Sequence, residues 1–307
     1  MALSFSQRWR HRELLSLALI ASVIVNVILL TRAPGYIASP TILPSSDGPA
    51  RFLDQCRGRV DCPVITALDH LVIVPGHAVY IGNKFSDASN ESNWVVEPHQ
   101  RGQVHVFLEH IRTGVGMLID TKTVLVFSGG QTRDGAGPRT EAFSYYEIAE
   151  SASWYNVTKS RPDLLRRVTT EEFARDSLEN LLFSICRFRE YTGHYPKWIS
   201  VIGFEFKRRR FEEIHRRALK WSIIRFNYKG FDSPFQSPPN EGEKKNAMMP
   251  YQHDVYGCHG KLAEKRKSRN PFNRIDGYVN SCPEIRDLLL YCPSDGVSLF
   301  AGPLPWA

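Results

Sequence analysis

Val124-Leu125-Val126-Phe127-Ser128-Gly129-Gly130-Gln131-Thr132-Arg133 is the most informative segment of this chain. Its apolar first part predicts a buried strand, and Ser-Gly-Gly predicts a tight loop at the carboxyl end of that strand. Open α/β sheets bind their ligands beside the carboxyl ends of their strands. We therefore expect this loop to belong to a binding site.

The flanking sequence alternates strand and helix patterns. Apolar runs predict strands, and apolar residues three or four apart predict helices. In chain order we expect a strand at 71–75, a helix around 104–111, the strand at 124–127, a helix from Thr169 to Ile185 with a Thr169–Glu172 capping box, a strand at 198–206, a helix at 211–219 and a strand at 221–228. This alternation predicts the α/β class with a parallel sheet, and residues 232–307 are typical of a loop-rich extension.

The amino terminus predicts a membrane anchor. Residues 14–31 form an apolar run just long enough to span a bilayer, and the arginines before it place residues 1–13 in the cytosol. Residues 32–66 are rich in proline and serine, as a stem is. The alternative is a cleaved signal peptide ending near Thr31 and Ala33. With the anchor retained, the chain is a single-pass membrane protein whose carboxyl-terminal domain lies in the lumen of the Golgi or ER.

Two further features fit export. Asn90-Glu91-Ser92 and Asn156-Val157-Thr158 are acceptor sites for N-glycosylation, which predicts glycans at Asn90 and Asn156. Six cysteines are available for disulfides, and Cys56 and Cys62 are close enough for a local one. No cysteine pair has C-x-x-C spacing, so we predict no metal site. Cys186 lies beside an apolar helix face and is expected to be a buried free thiol.

The formal net charge is +7, yet no aromatic stacking motif or DNA-reading helix accompanies the basic residues, so we predict no nucleic-acid partner. Two basic clusters stand out, Lys207 to Arg210 and Lys265 to Arg269. Such clusters are typical of solvated faces. Their functional interpretation is attraction to an anionic ligand or surface.

The order of these motifs resembles the DUF218 family. The family has a strand ending in glycine, then Ser-Gly-Gly with a downstream Glu-Ala, then a polar helix start, and this chain has Gly76, Ser128 to Gly130, Glu141-Ala142 and Glu171 to Asn180 in that order. Lys207 stands where the family has a histidine. The resemblance implies a Rossmann-like three-layer domain at 67–231, often tethered to a membrane, and the extension of residues 232–307 looks like that of the fungal branch. It implies no specific reaction.

The candidate ligand contacts lie at predicted strand ends and helix starts: Gly76, Ser128, Gly129, Gly130, Arg133, Glu141, Ser177 and Asn180. Glycines permit close backbone approach and leave N–H groups free for an anion. His77 and Glu141 are the candidate catalytic groups, since a histidine can act as a base near neutral pH. Each has a structural alternative: a tight turn for Ser-Gly-Gly, a solvated side chain for Arg133, helix capping for Glu141 and a hydrogen-bonded core position for His77.

Two functions fit these features. The first is binding of a small anionic or nucleotide-like ligand, with transferase or hydrolase chemistry on glycans or envelope precursors. The second is a non-catalytic binding or scaffolding module of the secretory membrane. No G-x-S-x-G elbow is present, which disfavours a serine hydrolase centred on Ser128. The sequence identifies no cofactor.

Overall fold

A computed structural model describes residues 65–231 and 240–307. The predicted membrane span, the stem up to residue 64 and the pair Cys56 and Cys62 lie outside the described residues. No helix within the described ranges has the length and apolar character needed to cross a membrane.

The centre of the fold is a five-stranded sheet, ordered β5-β4-β1-β6-β7, in which every pairing is parallel. Two short strands pair separately and antiparallel. The strands are β1 (His70–Pro75), β2 (Val79–Tyr80), β3 (Trp94–Val95), β4 (Thr123–Ser128), β5 (Val168–Glu171), β6 (Trp198–Phe204) and β7 (Phe226–Phe231). The expected α/β class with a parallel sheet is confirmed.

Helices cover both faces of this sheet. The helices are α1 (Val104–Gly116), α2 (Glu141–Ser151), α3 (Ser177–Thr192), α4 (Arg216–Ala218, continuing a π-helical turn at Arg210–His215), and in the extension α5 (Asn240–Glu243), α6 (Met249–His253), α7 (Gly260–Ser268), α8 (Tyr278–Ser281) and α9 (Arg286–Leu289). Val72 and Val74 point into one core with α1 and α2. Leu71 and Ile73 point into the other, with α3, α4 and the extension. Burial on both faces explains why the strands read as continuous apolar runs.

The third helix begins later than the sequence predicted. Thr169 lies in β5, where it pairs with Val126, so the Thr169–Glu172 capping box was wrong. Asp176 caps α3 instead, because its side chain accepts the N–H groups of Leu178 and Glu179 at 3.0 and 2.9 Å. The β-branched run from residue 168 to 170 favours an edge strand over a helical turn.

The order of the strands creates a crevice at the carboxyl edge of the sheet. From β1 the chain builds β4 and β5 on one side, and then returns to place β6 and β7 on the other side of β1. The carboxyl ends of β1 and β6 therefore lie where the strand order reverses, which is where α/β sheets leave room for a ligand. Gly76 and His77 follow β1, and Lys207 follows β6.

Candidate functional site

A cavity of about 520 Å³ lies at this crevice. Its walls are the carboxyl ends of β1 and β6, the amino end of α3, and the extension from residue 242 to 269. The volume is in the range of small-molecule sites. The extension is thus one wall of the cavity rather than an appendage.

The cavity is rich in charge, with an excess of cations. Its lining contains six cationic side chains, Arg133, Arg175, Lys207, Arg210, Lys265 and Arg269, and four carboxylates, Glu97, Glu141, Asp176 and Glu243. The carboxylates are already paired. Their closest contacts are Arg133 with Glu97 (2.8 Å), Arg133 with Glu141 (3.8 Å), Arg210 with Glu243 (2.7 Å) and Arg266 with Asp176 (2.5 Å). Arg175 of the lining pairs with Glu179 (2.6 Å).

Two lysines of the lining differ from the arginines around them. Among the described residues, no carboxylate lies within ion-pair distance of Lys207 or Lys265. Burial, followed by repulsion from Arg210, lowers the pKa of Lys207 to about 7. Burial and the charge of Arg269 lower the pKa of Lys265 to about 8. Both lysines are therefore poised to gain from a bound anion.

These lysines come from the two basic clusters of the sequence. Lys207 and Arg210 of the first cluster, and Lys265 and Arg269 of the second, line the same cavity. Arg209 and Lys267 face solvent instead. We expected both clusters to be solvated, and this holds for some residues of each cluster. The sequence showed that the two basic clusters exist, but it did not indicate which of their side chains line a cavity.

His77 forms the floor of the cavity next to Lys207. The Lys207 ammonium lies 3.3 Å from Nδ1 of His77, and Nε2 of the imidazole is buried without a hydrogen-bond partner in the described part of the chain. Burial and the charge of Lys207 hold the pKa of His77 well below its ordinary value. The ring packs against Phe204, with centroids 5.0 Å apart. His77 is therefore a neutral imidazole whose Nδ1 can accept a hydrogen bond from the Lys207 ammonium.

The Ser-Gly-Gly loop is placed differently from the expectation. Ser128, Gly129 and Gly130 do not line the cavity. The N–H of Gly129 donates to the carbonyl of Glu171 at 2.9 Å, and the N–H of Gly130 donates to that of Ala174 at 2.7 Å. The expectation that these amides are open to an anion is corrected, because the neighbouring β5–α3 connection already satisfies them.

The glycines make room for Glu141. A Cβ atom on Gly76 would lie 2.4 Å from the Cβ of Glu141, and one on Gly129, whose φ is +153°, would lie 2.7 Å from its Oε2. Glu141 is the first residue of α2 and accepts a hydrogen bond from Thr132. Its Oε1 lies 3.8 Å from the guanidinium of Arg133. Glu141 lines the cavity, but its carboxylate is held by the protein.

Arg133 is likewise committed to internal contacts. Beyond Glu97, its guanidinium donates to the carbonyl oxygen of His77 at 2.9 Å. Arg133 thus ties the end of β1 to the start of α2. It lines the cavity as expected, and its charge is balanced by carboxylates.

The start of α3 contributes two of the expected side chains. Ser177 and Asn180 both line the cavity. The Ser177 hydroxyl contacts Nε2 of His215 at 2.8 Å. Asn180 Oδ1 and Glu171 Oε2 both contact the hydroxyl of Ser128, at 2.8 and 2.6 Å. Glu171 therefore precedes α3 and reaches Asn180 through Ser128 rather than along a helix.

One serine hydroxyl between two oxygen acceptors requires a second proton. Ser128 can donate to only one of Glu171 and Asn180. Burial raises the pKa of Glu171 to about 7, so its carboxyl group can carry the proton and donate to Ser128, which then donates to Asn180. This chain of hydrogen bonds fixes the loop after β4.

Three predictions lie outside the cavity. Asn90 and Asn156 are both exposed, as glycan acceptors must be. Cys186 is a buried free thiol, as expected, and Cys282 is another. Cys258, His259 and Cys292 cluster closely enough to hold a metal ion, but Cys258 and Cys292 are joined in a disulfide, so neither offers a thiolate.

Comparison with known proteins gives one informative result. No family profile and no solved structure matches the chain. The uncharacterized protein YOR238W of Saccharomyces cerevisiae is 30% identical over 279 residues, an alignment that covers 74% of this chain and 89% of the yeast protein. At that identity and coverage the chain belongs to the family of the uncharacterized yeast protein YOR238W.

Proposed function

We propose that this protein binds a small phosphorylated ligand in the cavity at the carboxyl edge of its sheet. The observation that carries the proposal is the pair of ammonium groups, Lys207 and Lys265, which line one cavity without a carboxylate partner among the described residues. Both side chains are half-buried, and partial removal of an ammonium group from water without an ion-pair partner is unfavourable. The phosphoryl oxygens of a phosphorylated ligand would supply charge-assisted hydrogen bonds to such ammonium groups.

The chemistry of the floor suits a phosphate ester. Lys207, with a pKa of about 7, exchanges its proton near neutral pH, and neutral His77 lies beside it. In an enzyme, Lys207 would protonate the leaving oxygen of a transferase or hydrolase reaction, as general acids with matched pKa values do. Glycan or envelope precursors are the substrates that the DUF218 resemblance suggests for such a reaction.

A non-catalytic binding module is the second candidate function. It is favoured by the candidate catalytic carboxylate Glu141, which is held by Thr132 and Arg133 rather than left free for substrate. Both functions use the same cavity. Turnover of a ligand that binds there separates them.

The setting of the domain is part of the same proposal. We place it in the DUF218 family, as a Rossmann-like domain on a single-pass anchor that faces the Golgi or ER lumen. The strand order with its crevice, the exposed sequons at Asn90 and Asn156, and the Cys258–Cys292 disulfide all support this setting.

The test is a thermal-unfolding screen of the purified protein against sugar phosphates, nucleotides, nucleotide sugars and S-adenosylmethionine. A ligand at about 100 times its Kd adds roughly 2.7 kcal/mol to the stability of the folded state. Lys207→Met should abolish the shift, whereas Lys267→Met, on the exposed face of α7, should preserve it. No shift with any phosphorylated ligand would contradict the proposal, as would an equal shift in Lys207→Met.

A further inference from the structure

The cations of the cavity stand on two opposing parts of the chain. Lys207 and Arg210 follow β6 at the sheet edge. Lys265 and Arg269 belong to α7 and its carboxyl-terminal cap, where a spacing of four places them on one helix face. Ser268 lies between them on the lining. The cavity therefore has a sheet-edge cation pair and an α7 cation pair.

The α7 pair is held in place by contacts on both sides. Arg266, next to Lys265, donates to Asp176 at 2.5 Å and so ties α7 to the cap of α3. Leu262 is buried in the core. Arg269 donates to the carbonyl oxygen of Arg175 at 3.1 Å. These contacts fix the position of α7 beside the cavity in the absence of ligand. Less conformational entropy is therefore lost when a ligand binds.

We propose that the ligand carries a diphosphate group, with one phosphoryl group on Lys207 and Arg210 and the other on Lys265 and Arg269. This inference rests on the proposed function and names the ligand class of the same cavity. Within the described ranges, these four cations form ion pairs with two carboxylates, Glu243 and Glu97, and Glu97 is shared with Arg133. A single phosphate at one pair leaves the other pair unbalanced. A diphosphate ester, with two or three negative charges on two linked groups, balances both.

Isothermal titration of the full-length chain with inorganic phosphate and with pyrophosphate at pH 6.5 tests the inference. Pyrophosphate should bind at least about tenfold more tightly than phosphate, because its second phosphoryl group accepts additional charge-assisted hydrogen bonds from Lys265 and Arg269. Lys265→Met should reduce the preference for pyrophosphate over phosphate to less than about threefold. Lys267→Met, two residues away and exposed, is the matched control.

The outcomes separate the two levels of the proposal. Phosphate binding with no preference for pyrophosphate would overturn the diphosphate inference and leave the proposed function standing. Absence of binding for both anions would overturn both. Arg269→Gln alters the same subsite and should reduce the preference for pyrophosphate as Lys265→Met does. Circular dichroism verifies that each variant is folded. A nucleoside diphosphate and a short isoprenyl diphosphate, titrated in parallel, distinguish the two sources of the group.

Discussion

The ammonium of Lys207 lies 3.3 Å from Nδ1 of His77, although 130 residues separate them in the sequence. One follows β6 and the other follows β1, so the reversal of strand order brings them together. Burial and the charge of Lys207 hold the pKa of His77 well below its ordinary value. Near neutral pH, the Lys207–His77 pair therefore carries at most one positive charge.

Anion affinity should fall as the pH rises. Only protonated lysines attract an anion, and the pKa values of Lys207 and Lys265 are about 7 and about 8. Sulfate is the suitable probe, because its own charge does not change in this range. Titration calorimetry between pH 6 and pH 9 should show progressively weaker binding above neutral pH. A flat profile in the wild-type protein would be inconsistent with lysines that lose their protons near neutral pH.

Glu171→Gln should change the pH dependence of stability. The pKa of Glu171 rises from 4.5 to about 7 on folding, so the stability it contributes is complete below pH 4.5 and is lost as the pH rises through 7. Glutamine keeps the neutral form and can donate to Ser128. Chemical denaturation should therefore show the variant more stable than wild type at pH 8, by on the order of 3 kcal/mol, and nearly equal at pH 4. A variant less stable than wild type at pH 8 would contradict a raised pKa of Glu171.

Gly76→Ala should destabilise the fold, because the new Cβ would meet Glu141 at 2.4 Å. Overpacking of this kind costs about 1–3 kcal/mol. Gly116→Ala is the matched control, since a Cβ there meets nothing within 4 Å and the residue ends helix α1. Urea denaturation should rank Gly76→Ala below wild type and Gly116→Ala at or above it. Equal midpoints for the two variants would argue against the close approach of Gly76 to Glu141.

Removing the disulfide should weaken the extension. Cys258 and Cys292 are 34 residues apart, and closing a loop of that length contributes roughly 3–4 kcal/mol through the unfolded chain. Cys258 lies just before α7, so the double variant Cys258→Ser and Cys292→Ser should also bind pyrophosphate more weakly. Urea midpoints and titration calorimetry measure the two effects. An unchanged urea midpoint would mean that the disulfide does not constrain the unfolded chain as proposed.

The sheet could be predicted from the sequence because its strands are buried on both faces and therefore continuously apolar. The apolar runs at β1, β4 and β6 were sufficient to predict these strands. The start of α3 could not be predicted, because Thr169 and Asp176 are both good caps and only pairing with β4 decides between them. The local sequence around Thr169 does not reveal that β5 pairs with β4.

Some of the residues that line the cavity could also be predicted, because they lie at the ends of these elements. Gly76, His77 and Asn180 are near the cavity because they follow strands or begin a helix. Lys207 and Lys265 were indicated only as members of basic clusters, since their meeting depends on the packing of α7 across the sheet edge. Glu141 was a candidate site residue and does line the cavity. Its contacts with Thr132 and Arg133 depend on a loop conformation that local sequence does not determine.

Anomalous diffraction from crystals soaked in selenate shows whether an anion occupies the cavity. Selenate is a tetrahedral dianion with a selenium atom that can be located without ambiguity. We expect an anomalous peak inside the cavity, within hydrogen-bond distance of the Lys207 ammonium, that disappears in Lys207→Met. Selenate bound only on the outer surface, with none in the cavity at saturating concentration, would contradict the assignment of this cavity as the anion site.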